Sequence, residues 1–172
     1  MKKLISWILT LIFILSLSGC NTQNPDNNPS SVPEDFSFSL VWNGCGLSSY
    51  DSQTGKLIKI KDVPNPEDYT VQCELTREEK EYVYGLIASL DINSYPDEFD
   101  PQNGNSKPRM SLILTVRMNG EIKTVKAEGI ALSFAAHDEK GQKFLSVCEA
   151  IAEMLTETDE WKALPDYAQL YD

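Results

Sequence analysis

The chain predicts an α+β fold, an antiparallel sheet with two helices packed on one face. Three observations point there. Short runs of alternating apolar and polar residues recur from Phe36 onward. Asn43-Gly44 and Asn119-Gly120 each stand between such runs, and Asn-Gly is the strongest short hairpin signal because both positions tolerate positive φ. Two helical stripes follow strands rather than alternating with them, so the βαβ order of a parallel sheet is missing.

In chain order, Phe36, Phe38, Leu40 and Trp42 alternate with smaller or polar residues and read as a half-buried strand. A second strand is expected over Cys45 to Tyr50. Asp51 to Gly55 is turn chemistry, with Gly55 suited to a left-handed position. Lys56 to Lys61 reads as a strand with Ile58 and Ile60 on one face and Lys59 and Lys61 on the other. Pro64 and Pro66 demand a loop. Tyr69, Val71, Cys73 and Leu75 alternate as a further strand. Thr76 and Glu79 form a capping box that starts a helix over Arg77 to Leu90, with Val83, Leu86, Ile87 and Leu90 on one stripe.

Asp91 to Pro108, carrying Pro96, Pro101, Gly104 and Pro108, reads as a long irregular connection. Met110 to Met118 and Glu121 to Ala127 form a hairpin on Asn119-Gly120, with Leu112, Leu114 and Val116 opposite Ala127, Val125 and Lys123. A second helix starts near Glu139 and aligns Phe144, Val147, Cys148, Ile151 and Leu155. An acidic run over Glu157 to Glu160 and an aromatic tail close the chain.

The 172 residues carry a net charge of −11, strongly acidic. With no block of Lys and Arg, this excludes nucleic-acid binding, which depends on clustered cations. Of four cysteines, Cys148 sits on an apolar stripe, while Cys45 and Cys73 are candidates for a bridge in an oxidising compartment. A single histidine and no Cys-x-x-Cys give no zinc pattern, and no cofactor is implied.

The N-terminus has its own logic. Lys2 and Lys3 precede a 14-residue apolar run, Leu4 to Leu17, and the small pair Ser18 and Gly19 stands before Cys20. That order is a secretory signal, and the run is shorter than the ~20 residues of a membrane-spanning helix. Leu17-Ser18-Gly19-Cys20 resembles the lipobox of bacterial lipoproteins. The resemblance implies cleavage behind Gly19 and a diacylglyceryl thioether on Cys20, the lipid-attachment residue, with the protein held on the outer face of the cell membrane. Losing Lys2 and Lys3 with the leader takes the charge from −11 to −13. Residues 1–19 are thus read as a signal peptide, 20–35 as lipidated cysteine and linker, and 36–172 as one α+β domain. The linker, NTQNPDNNPSSVPED after Cys20, is polar with three prolines and buries nothing; fully extended it reaches about 50 Å. Over residues 36–172, the segments YDSQTGKL, LTREE, DINSYPDEFDP and EWKALPDY resemble small lipoproteins of Gram-positive bacteria, a likeness that carries over no activity.

Chemistry-bearing constellations are few. Ser52 to Lys56 suggests a phosphate loop, but Tyr50 stands where its first glycine belongs and Leu57 where Ser or Thr must meet magnesium. His137-Asp138-Glu139 offers a base beside acids, without a Gly-x-Ser-x-Gly or Ser-x-x-Lys nucleophile, and equally suits a helix start. Asp97, Glu98, Asp100, Asn103 and Asn105 carry the oxygen ligands calcium accepts, in an order that breaks the EF-hand pattern. Trp42, Trp161, Tyr50, Tyr167 and Tyr171 could stack on a ligand or belong to the core. No catalytic, cofactor or metal residue is assigned. The functional expectation is a membrane-anchored, non-enzymatic binding module using part of its sheet, the 91–108 loop or the aromatic tail to hold an envelope protein or small ligand. The alternative is a small cell-envelope hydrolase using His137 and acidic-loop carboxylates.

Overall fold

Among the described residues, seven strands form one sheet. The computed structural model describes residues 32–43, 47–59, 65–102, 110–130 and 136–166. The strands are β1 Ser37–Asn43, β2 Leu47–Asp51, β3 Lys56–Ile58, β4 Thr70–Gln72, β5 Glu98–Phe99, β6 Met110–Met118 and β7 Glu121–Ile130. Among the described residues, three α-helices accompany them, α1 Arg77–Ala88, α2 Glu139–Thr156 and α3 Asp159–Ala163. The strands lie in the order β4-β3-β2-β1-β6-β7-β5, and all described pairs are antiparallel except β5 with β7. The architecture is α+β, as the pattern predicts.

The β6–β7 hairpin closes with Met118 opposite Glu121, and Asn119 and Gly120 take φ of 54° and 76°. This is the doubly left-handed turn that matches strand twist. Leu112, Leu114 and Val116 face Ala127, Val125 and Lys123 in the expected register. Because side chains alternate along each strand, register carries one apolar row across the sheet, Val71, Leu57, Tyr50, Leu40, Leu114 and Val125. Helix stripes pack on this row. Val83 and Ile87 of α1, Phe144, Val147, Cys148, Ile151 and Leu155 of α2, and Trp161 of α3 join it in one buried core.

The helix ends follow local chemistry. Thr76 Oγ1 accepts from the Glu79 amide while the Glu79 carboxylate accepts from the Thr76 amide, completing the capping box. Asp138 accepts from the Gly141 amide at 2.6 Å and caps α2. Thr158 accepts from the Trp161 amide and starts α3, where the sequence had shown only an acidic run. Gly55 takes φ of 69° at the β2–β3 turn.

Several expectations are corrected. β2 is described over Leu47–Asp51 and pairs Trp42 with Ser48 and Leu40 with Tyr50; Cys45, where the sequence places the start of this strand, lies outside the described residues. A two-residue turn on Asn43-Gly44 would set Trp42 against Cys45, an odd slip that reverses which β2 side chains face the core; the 44–46 connection lies outside the described residues. In β3 the alternation holds but the faces are reversed. Leu57 enters the core and Lys59 follows it, 5% exposed, whereas Ile58 stays half-buried on the other face. Leu57 is committed inward by pairing with Tyr50 and Val71, and the lysine stem then runs under α3. Ile60 and Lys61 lie outside the described residues.

The expected irregular stretch after α1 contains a 3-10 turn, Ile92–Ser94, and β5, which adds a parallel pair to an otherwise antiparallel sheet. Ile92 and Tyr95 are core residues. The first strand expected after the prolines is shortened: Pro66–Tyr69 is a 3-10 turn and only Thr70–Gln72 is strand. A compact unit begins at Val32. Asp35, placed by composition in the linker, accepts from the Asn119 and Gly120 amides of the hairpin turn.

Candidate interaction surface

Among the described residues, those singled out by sequence do not gather at one site, although Trp42 and Trp161 meet in the core. Cys20, Cys45, Asn103, Asn105, Tyr167 and Tyr171 lie outside the described residues. His137 is exposed, donates its backbone N–H to Pro101 O at 2.8 Å, and has its Nε2 3.4 Å from an Asp138 carboxylate already engaged in capping α2. In the acidic loop, Asp97 meets Lys123 at 2.6 Å, Glu98 lies 4.0 Å from Lys126, and Asp100 accepts from the Gln102 amide. Among the described residues, no three His, Cys, Asp or Glu side chains gather where a metal ion would sit.

Trp42 is core, and Trp161 docks on it with ring centroids 5.6 Å apart. Lys59 reaches beneath this strap: its Nζ donates to Leu164 O at 3.2 Å, lies 3.7 Å from an Asp166 carboxylate oxygen and 5.5 Å from the Trp161 ring. Cys73 is a free, buried thiol 3.9 Å from Glu160 Oε2. Burial first, then the Glu160 charge, pushes its pKa up. Burial does the same to Cys148, so both thiols are held in the unreactive form.

What the fold does assemble is a surface. The described helices occupy one side of the sheet, and register places Ser39, Val41, Ser49, Ile58, Ile113, Thr115 and Thr124 together on the other. Its centre is uncharged: Val41 lies between Ser49 and Ile113, and Ser39 beside Thr115. Thr115 and Thr124 hydroxyls bond each other at 2.9 Å. The charged groups around it already have hydrogen-bond or ion-pair partners. Lys126 pairs with Glu128, Arg117 donates to Gln53, and Asp51 accepts from the Gln53 and Thr54 amides. On a chain of charge −11, this is a face where a partner loses little charge hydration on docking.

β7 adds an edge to this face. The Lys126 amide donates outward to Asp97 O at 2.9 Å, and β5 covers β7 only at Lys126 and Ala127. Ile122, 60% exposed, and Thr124 lie along the stretch that no described strand pairs with. On the helical side of that stretch, Glu121 and Lys123 line a small depression with Ile92, Asn93, Val116 and Met118. Sequence reasoning found the alternation in β7 but had no signal for which strand would end at an edge.

Comparison with protein-family models finds no match to this chain, and comparison with curated proteins finds none either. Among the described residues, no helix is long and apolar enough to cross a membrane.

Proposed function

We propose that this chain is a non-enzymatic binding module, tethered by lipid on Cys20 to the extracytoplasmic face of the cell membrane, that meets an envelope protein through the side of its sheet opposite the described helices. The observation that carries the binding reading is the uncharged centre formed by Ser39, Val41, Ser49, Ile113 and Thr115. Broad, flat, half-apolar faces with a polar rim suit protein partners better than small molecules. The anchor rests on Leu17-Ser18-Gly19-Cys20 and on the polar tract behind it. Two or three acyl chains would make the attachment durable, where one alone would be marginal.

The hydrolase alternative has less support. A base needs a nucleophile or water site within hydrogen-bond reach, and His137 is exposed beside a helix cap. Both halves of the proposal are testable in a bacterial host expressing the full chain. Labelled palmitate should be incorporated by the native chain and not by Cys20→Ser; labelling of both, or of neither, refutes the anchor. Photo-crosslinkers at Val41 and Ile113 should trap a discrete envelope protein, while one at Glu78 on the helical side should not. Equal yields at all three positions would refute the sheet as the binding face.

A further inference from the structure

We propose that the outer edge of β7, from Glu121 to Val125, receives an extended basic peptide of the partner as an added strand, with one small aliphatic side chain seated in the depression beside Lys123. The inference rests on the binding-module reading and narrows it to a place and a partner chemistry.

The main chain specifies the occupant. Side chains and backbone groups alternate along a strand, and the outward Lys126 amide sets the phase. Ile122 and Thr124 therefore also direct N–H and C=O away from β6, beyond the two residues that β5 covers. Among the described residues nothing pairs with these groups. Donors and acceptors repeating every ~7 Å along a straight edge match another extended backbone.

The edge also lacks the usual guards. It has no proline, and the sheet's irregularity falls at Met110/Ser111, the far end of the hairpin. Lys123, the residue that might repel an incoming strand, points to the helical side and is held by Asp97. A strand added here would alternate its side chains between Ile122 and Thr124 on one face and the depression on the other. That depression has an apolar floor of Ile92, Val116 and Met118. Around the edge the four carboxylates of Glu121, Asp97, Glu98 and Glu128 outnumber the two lysines they meet, Lys123 and Lys126, and with a chain charge of −11 that excess favours a basic incoming segment.

The test titrates the full chain in detergent with acetyl-Lys-Val-Lys-Val-Lys-Val-Lys-amide and follows amide hydrogen exchange. Saturable binding should slow exchange at Ile122 and Thr124 about tenfold or more, with little change at Lys123 and Val125, which already bond β6. N-methylation of alternate peptide residues, which alters no protein residue, should weaken binding about tenfold or more. Thr124→Pro should do the same, since an outward-facing position on an edge strand tolerates proline. Equal affinity for the N-methylated peptide overturns the proposal, as does absence of protection at Ile122 and Thr124. Protection that depends on protein concentration without peptide also overturns it, assigning the edge to a second copy of this chain. An envelope protein crosslinked from Val41 equally well in native and Thr124→Pro chains would overturn the edge while leaving the module reading intact.

Discussion

Replacing Trp161 with alanine probes the part of the core farthest from any local sequence signal. Trp161 is 8% exposed, its ring lies 5.6 Å from that of Trp42, and Lys59 Nζ stands 5.5 Å from its centroid. Truncating a buried aromatic residue costs about 3–5 kcal/mol through lost transfer energy and the cavity left behind. α3 is only five residues long, so the vacated space can be relieved by release of the segment rather than by collapse of the sheet. The loss therefore belongs at the lower end, about 3 kcal/mol. With a urea slope of about 1–3 kcal/mol per molar, the midpoint should fall by about 1–3 M while the slope stays nearly constant. Urea denaturation followed by circular dichroism measures this, and emission from Trp42 should move to the red as water reaches it. A loss below about 1 kcal/mol with unshifted Trp42 emission would refute the assignment of α3 to the core.

Two other positions test long-range polar contacts. The Gly120 and Asn119 amides hold the Asp35 carboxyl below the usual carboxylate range. A depressed folded pKa gives stability that is complete above the unfolded value of about 4 and disappears as pH falls through the lower folded value. The native chain should therefore melt above Asp35→Ala at pH 7 and converge with it towards pH 2; a gap that persists unchanged at low pH would contradict this. Tyr50 is buried and donates to Cys73 O at 3.1 Å, with desolvation pushing its phenol pKa up and keeping it a donor. Tyr50→Phe should cost about 1–3 kcal/mol in denaturant unfolding, because it leaves the Cys73 carbonyl without its partner; an unchanged midpoint would show that the bond contributes nothing.

Much of the fold was legible wherever a feature closes over a few residues. Thr76 and Glu79 satisfy each other's backbone groups within one turn, and Asn119-Gly120 joins two strands whose alternation points to one register. The α2 stripe from Phe144 to Leu155 was equally plain, since helical spacing alone collects those side chains. β5 was not legible: two residues have no period, and they are strand only because β7 presents an edge to them. Lys59 read as an outward residue because charge suggests solvent, yet its phase is set by Leu57 and its head is met by Leu164 O, about a hundred residues further on. The candidate surface was half legible. Its serines, threonines and valines were visible as strand residues, but their assembly into one face depends on β1 pairing with both β2 and β6.

The sequence by itself determined the two longer helices and the strands long enough to show a period, where α1 and α2 begin and how the β6–β7 hairpin is phased, because hydrogen bonds and side-chain periods act across a few neighbouring residues. It also marked the chain as strongly acidic, with no cationic block for nucleic acid. Only the tertiary structure decided which face of β3 turns inward, that α3 straps over Lys59 and Trp42, and that no described strand pairs with the outer edge of β7 between Glu121 and Val125. Those outcomes depend on contacts between residues far apart in the chain, where a shift of one residue in pairing exchanges the buried face of a strand for the exposed one.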